Sequence, residues 1–403
     1  MSAVIERADK WVMPTYRRLP VTFVRGEGVE LFDDQGGRYL DFVAGIAVTA
    51  LGHAHPAVTE AVAKQAAQLV HTSNLYYTEP FGRLAETLCG KLGWPDGKVF
   101  FANSGAEANE CAIKLVRRWA LDRYGPQRFG IVAAEGSFHG RTLAALAATG
   151  QPAKWEPFEP MPQGFTHVAY NDAQALEEAL DGSHSAVLLE PIQGEGGVVV
   201  PTGGYLGSVR RTCDAQGMAL MADEVQTGLG RTGRWFGFEH SAVVPDVVTL
   251  AKALGNGFPI GACVARGELA EAFRPGDHAT TAGGGPVVCA AALAVLQTIE
   301  DQDLVSHAAT AGAGLKLNLQ ELVSRHDLAV SVRGEGLLLG VQLREEVASD
   351  VVTAALEKGL LVNNVAPSVV RLCPPLIVDR QQCETAVDIL DAVLSQVGGG
   401  PRP

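Results

Sequence analysis

The chain reads as an α/β protein, with a large domain built on a mostly parallel sheet and a smaller α+β domain formed by both chain ends. Two patterns predict this. Between about residues 97 and 265, short runs rich in Val, Ile, Leu and Ala alternate with helix-like stretches, the βαβ rhythm of a parallel sheet. Near residues 20–45 and after about residue 286 that rhythm gives way to turn-linked strands and long Ala/Leu-rich helical stretches. The expected division is 51–290 for the large domain, with 1–50 and 291–403 together forming the small one.

In chain order, Gly26-Glu-Gly-Val-Glu-Leu-Phe-Asp-Asp-Gln-Gly-Gly-Arg-Tyr-Leu-Asp-Phe42 reads as antiparallel strands joined by an Asp-Gln-Gly-Gly turn. The runs of the parallel sheet are Val99–Ala102, Phe129–Ala133, Ala186–Glu190, Ala219–Ala222, Val247–Leu250 and Gly261–Ala265. Later, Leu337–Leu343 and Val369–Leu372 are strand-like, and a last helix is expected near 380–396. The tail Gly398-Gly-Gly-Pro-Arg-Pro is expected to fray.

Composition limits the partners. The 403 residues carry 45 acids against 32 bases, a formal charge of −13, which disfavours nucleic acid and other polyanions. Seven scattered cysteines with no C-x-x-C pair suggest reduced thiols in the cytoplasm. The N-terminal residues mix charges of both signs and lack a signal-peptide core, and no run is long enough to span a membrane. His53, His55 and His139 have no accompanying metal-ligand spacing, so no metal is expected.

In a parallel sheet the ligand sits beyond the carboxyl ends of the strands, and here several ends carry a reactive side chain: Asn103/Ser104, Glu135, Glu190, Asp223 and Lys252. Lys252 closes Asp246-Val-Val-Thr-Leu-Ala-Lys252 and opens into Ala-Leu-Gly-Asn-Gly-Phe-Pro, and Asp223 closes the run before it. A lysine for an aldehyde and a carboxylate for a ring nitrogen are how proteins hold pyridoxal 5'-phosphate. Asn103-Ser-Gly-Ala-Glu-Ala-Asn109 opens a helical segment with capping-box spacing between Ser104 and Glu107. Such a turn can seat a phosphate on free N–H groups and the helix dipole, and a plain N-cap has the same spacing.

Five segments, Ser104-Gly-Ala-Glu-Ala-Asn109, Phe138-His-Gly-Arg-Thr142, Glu190-Pro-Ile-Gln-Gly-Glu-Gly-Gly197, Asp223-Glu-Val-Gln-Thr-Gly-Leu-Gly-Arg-Thr-Gly233 and Lys252-Ala-Leu-Gly255, occur in the order seen in one family. Together they resemble the class III (ornithine-type) pyridoxal-phosphate aminotransferases. The resemblance runs from Met13-Pro-Thr-Tyr to Arg371-Leu-Cys-Pro-Pro-Leu376. Gly45–Pro56 and His71-Thr-Ser-Asn74 look most like the acetylornithine aminotransferases of that class.

The resemblance implies fold type I of the pyridoxal-phosphate enzymes and assigns roles. Lys252 is implied to bond the cofactor aldehyde and Asp223 to pair with its ring nitrogen. Ser104, Gly105 and Ala106 are implied to hold the phosphate, Phe138 to stack on the ring, and Val225 and Gln226 to line the opposite face and the phenolic oxygen. Thr281 matches a phosphate ligand supplied by the other subunit, which implies a homodimer. The Ala282-Gly-Gly-Gly-Pro286 that follows departs from the family, where an aromatic and then Gly-Gly-Asn are usual.

For substrates, Arg141 matches the arginine that holds the donor's α-carboxylate. Arg371 matches a second arginine, masked by Glu195 when a side-chain amine reacts and freed for the α-carboxylate of glutamate; a structural salt bridge describes the same pair. Tyr16 matches a residue at the substrate entrance, although a solvent-facing tyrosine fits it as well. Ile46 stands where ornithine aminotransferases usually carry tyrosine. The implied reaction moves the δ-amino group of N2-acetylornithine to 2-oxoglutarate, in arginine biosynthesis. The alternatives are another ω-amino donor (ornithine, 4-aminobutyrate or succinyldiaminopimelate), an aminomutase, or a protein that binds the cofactor without turnover.

Overall fold

The structure is a computed structural model that describes residues 3–398; the expected fraying of the tail beyond Gly398 lies outside the described residues. Its strands are β1 (Phe23–Glu27), β2 (Glu30–Asp33), β3 (Arg38–Asp41), β4 (Lys98–Ala102), β5 (Gly130–Ala134), β6 (Phe165–Val168), β7 (His184–Leu189), β8 (Ala219–Asp223), β9 (Val247–Leu250), β10 (Gly261–Ala265), β11 (Ala329–Glu335), β12 (Leu338–Leu343), β13 (Leu360–Leu361), β14 (Asn363–Ala366) and β15 (Val369–Leu372).

Seven of them form the central sheet in the order β4-β10-β9-β8-β7-β5-β6. β10 pairs antiparallel with both β4 and β9, while the remaining pairs are parallel, so six strands run one way and β10 alone runs against them. β5, β7, β8, β9 and β10 are buried throughout, which is why they read as unbroken apolar runs. The edge strand β6, Phe-Thr-His-Val, is mostly half-buried and mixes polar with apolar residues, and no apolar run announces it.

Two further sheets come from the chain ends. β1, β2 and β3 form the expected antiparallel element, and β13 adds to it in parallel, pairing Leu360 with Leu40. β11-β12-β15-β14 is wholly antiparallel, and β15 places Arg371 between Gly340 and Asn363. The Ala/Leu-rich stretch after residue 286 is two helices, Pro286–Asp301 and Leu304–Arg325, and the last helix is Arg380–Gly398. One apolar core runs from Val29 and Phe42 through the strands of the central sheet to Leu394. The C-terminal segment is also tied to the N-terminal one through backbone bonds, Cys373 N to Phe42 O at 2.8 Å and Leu376 N to Ala50 O at 2.7 Å.

Candidate active site

The carboxyl ends of the parallel strands converge on a cavity of about 390 Å³. It is lined by Ser104, Gly105 and Ala106 after β4, Phe138 and Arg141 after β5, Glu190 and Glu195 after β7, Asp223, Val225 and Gln226 at the end of β8, and Lys252 after β9. Ten of the thirteen residues singled out from sequence therefore surround one space.

At the floor, Asp223 is 4% exposed and its Oδ2 accepts from Asn109 Nδ2 at 2.8 Å and lies 2.8 Å from His139 Nδ1. Its other oxygen accepts from Val225 N at 3.1 Å. Asn109 is itself held by Thr249 Oγ1, which donates to its Oδ1 at 2.8 Å, and by the His139 carbonyl, which accepts from its Nδ2 at 2.7 Å. A carboxylate fixed by several hydrogen bonds is held in one orientation towards the cavity.

At the wall, Ser104 caps the 20-residue helix Gly105–Tyr124, accepting from Glu107 N at 3.2 Å. Only half of the predicted capping box forms as spaced, because Glu107 reaches back to Asn103 N and Asn103 Nδ2, both at 2.8 Å. The turn is crowded: a Cβ on Gly105 would lie 2.7 Å from Val225, and one on Gly261 in β10 would lie 2.3 Å from the Ser104 carbonyl. Glycine at both positions lets the backbone close around the helix N-terminus, where unpaired N–H groups attract an anion.

Lys252 follows Ala251, which takes φ −164° and ψ −133°, and has φ 37° itself, a left-handed conformation uncommon for lysine. Asn256, also left-handed, locks the turn by accepting from Leu51 N at 2.8 Å and donating to Gly52 O at 3.0 Å. Burial lowers the Lys252 pKa; Glu195 opposes this and Arg371 reinforces it. Burial drives the Glu190 carboxyl well upward, with the Asp223 charge adding to it.

Arg371 is fully buried, and its Nη1 donates to Glu195 Oε1 at 2.5 Å and to Gln226 Oε1 at 3.0 Å. Its Nε donates to Asn363 at 3.2 Å, while buried Nη2 has no protein partner. Burial by itself would raise the Glu195 carboxyl, but Arg371 and Lys252 bring it below its ordinary value.

The remaining predicted residues lie elsewhere. Thr281 sits in a separate hollow with His71–Asn74 and Gly283–Gly285, and Tyr16 is 75% exposed. Sequence reasoning missed Asn109, Thr249, Val48 and Phe258. Asn109 was detectable, since it falls in phase with Ala112 and Val116 on a buried helix face where an amide needs partners.

Residues 12–394 match the family model for class-III aminotransferases. The chain belongs to that family. It is 49% identical to the acetylornithine aminotransferase of Caldanaerobacter subterraneus, covering 98% of this chain and all of that one, and 51% identical to that of Mycolicibacterium smegmatis, covering 96% and 97%. Among solved structures, the ornithine aminotransferase of Toxoplasma gondii superposes with a TM-score of 0.94 at 32% identity, covering 98% and 94%. The acetylornithine aminotransferase of Elizabethkingia anophelis gives 0.88 at 33%, covering 98% of each chain. A second Toxoplasma structure carries pyridoxal phosphate at partial occupancy in its active site. As a class III aminotransferase the protein works with pyridoxal phosphate, and the cavity fits that group, with a half-buried lysine, a carboxylate held by three hydrogen bonds and a helix N-terminus with space for a phosphate. Among the described residues no helix is long and apolar enough to cross a membrane, and no cluster suited to a metal occurs.

Proposed function

We propose that this aminotransferase moves the δ-amino group of N2-acetylornithine to 2-oxoglutarate, yielding N-acetylglutamate 5-semialdehyde and glutamate. The observation that carries the reading is Arg371, fully buried and covered by Glu195 at 2.5 Å, in a chain with acetylornithine aminotransferases among its relatives at 44–51% identity. A masked arginine suits an enzyme that must accept a side-chain amine first and an α-carboxylate second.

Each residue then has a task. When bound, pyridoxal phosphate supplies an aldehyde to take up the amino group and an electron-poor ring to stabilise the substrate carbanion. Ser104, Gly105 and Ala106 would hold its phosphate, Asp223 its ring nitrogen, Gln226 its phenolic oxygen, and Phe138 and Val225 its two faces. Arg141, exposed at the cavity, grips the donor's α-carboxylate and places the δ-carbon near Lys252. Lys252 Nζ, whose pKa burial lowers, takes a proton from that carbon in the first half-reaction and returns one to the α-carbon of glutamate in the second. Between the two, Glu195 swings off Arg371, whose unpartnered Nη2 is ready for the α-carboxylate of 2-oxoglutarate.

By the family match Thr281 would hold the phosphate of a second copy, so the same reading makes the enzyme a homodimer, with Tyr16 near the entrance. The seven cysteines, none of them in a disulfide, support a cytoplasmic location. Purified enzyme given acetylornithine, ornithine, 4-aminobutyrate and succinyldiaminopimelate should rank acetylornithine first with 2-oxoglutarate as acceptor. A low rank for acetylornithine defeats the donor assignment, and turnover independent of 2-oxoglutarate would mean an aminomutase.

A further inference from the structure

Beside Arg141 lies a second cation to which the motifs assign no role. Gly150 passes so close to the end of β5 that a Cβ there would lie 2.0 Å from the Ala134 carbonyl, which draws the following segment against the turn that leads to Phe138. Gln151 fastens that segment, donating through Nε2 to Gly136 O at 3.2 Å and Ser137 O at 3.0 Å, just ahead of Phe138. Its Oε1 accepts from Lys154 Nζ at 2.5 Å. The ammonium so placed is 6.0 Å from the Phe138 ring centroid, and the Arg141 guanidinium carbon is 5.7 Å from the same centroid. Burial and the Arg141 charge lower the Lys154 pKa, and Glu195 opposes them.

Among the described residues, neither cation has a carboxylate within ion-pair distance. Two like charges near one aromatic ring, one of them half-buried, repel each other, and an anion held by both relieves that repulsion. Both substrates bring such an anion on the end remote from the reacting carbon: the α-carboxylate of the donor and the γ-carboxylate of 2-oxoglutarate. We propose that Lys154 is a second cation of the distal-carboxylate seat, which it shares with Arg141 in both half-reactions, and that it selects substrates ending in a carboxylate. The inference rests on the reading of Arg141 given above.

The test is binding of glutarate, a dicarboxylate without a keto group, to the holoenzyme by calorimetry. Lys154→Met should weaken glutarate about tenfold and raise the KM for 2-oxoglutarate similarly, with kcat within about threefold, and Lys154→Arg should restore most of the binding. Affinity for pyridoxal phosphate should stay unchanged in both variants. Glutarate binding that is unaltered in Lys154→Met, or absent in the wild type, overturns the proposal, as does an Arg variant as weak as Met. So does a parallel loss of cofactor affinity, which would reduce Lys154 to a support for Phe138. Glutarate needs no amino donor, so a failed acetylornithine assignment leaves this test standing. Unaltered binding in Arg141→Met would instead remove the Arg141 reading.

Discussion

At the residue scale, the site depends on two ionisable groups whose pKa values both lie below their ordinary ones. Lys252 sits in a left-handed backbone conformation with its amine disfavoured as a cation, a state the surrounding structure must impose. Lys252→Ala should abolish transfer and remove the absorption band of the lysine-bound cofactor; measurable turnover in that variant would contradict its role. Glu195 is the counterpart, since its carboxylate occupies the arginine that 2-oxoglutarate needs. Glu195→Gln leaves a weaker, uncharged mask, so the KM for 2-oxoglutarate should fall several-fold while the donor half-reaction slows; an unchanged KM would mean that the pair is a structural bridge only. Lys252 and Asp223 were readable because a charged residue closing an apolar run stands out. Asn109 and Thr249 were not, because their importance lies in holding each other and Asp223 across 140 residues of chain, which no local pattern records.

At the element scale, the site is assembled where strand ends meet glycines. The unbroken apolar strands were legible, whereas β6 at the edge and the short β13 were not, since an edge strand needs no apolar run and two residues form no period. Gly261 in β10 could not be ranked by sequence either, although its absent side chain is what admits the Ser104 turn. Gly261→Ala pushes a methyl to within 2.3 Å of the Ser104 carbonyl, so affinity for pyridoxal phosphate should drop more than tenfold, measured by cofactor release, with the fold retained. Next to Asp223, Glu224 joins elements: its carboxylate accepts from Thr227, Gly237 N and Phe238 N, fastening the turn after β8. Burial raises its pKa from 4.5 to about 7 despite these donors. The folded carboxyl thus keeps its proton to higher pH than the unfolded one, and stability from this group is complete below about pH 4.5 and is lost as pH rises towards 7. A displacement of that size corresponds to about 3 kcal/mol. The Tm advantage of wild type over Glu224→Gln should shrink by a few degrees between pH 5 and pH 8, and a constant difference would show that the carboxyl is ionised throughout.

For the whole molecule, the proposed homodimer would join at the surface around Thr281. Next to the hollow that holds Thr281, Leu75 is 82% exposed, Tyr76 70% and Tyr77 fully so, and Val70 is exposed as well. Large aromatic and aliphatic side chains grouped on one surface are characteristic of the core of a protein interface. Asn74 ties this segment to the loop before the helix Pro286–Asp301, donating to the Thr280 carbonyl at 3.4 Å and the Gly283 carbonyl at 3.1 Å, so the apolar group and Thr281 move as one piece. On the reading proposed above, the face that buries Tyr77 also delivers Thr281 to the partner's phosphate, and assembly and cofactor binding become one equilibrium. Tyr77→Asp, which sets a charge at the centre of that face, should therefore halve the mass seen by sedimentation and weaken pyridoxal phosphate together, both effects diminishing as protein concentration rises. Thr281→Ala should weaken the cofactor and leave the mass unchanged. If Tyr77→Asp yields monomers that bind pyridoxal phosphate as tightly as the wild type, each chain holds its cofactor alone and the shared-site reading fails.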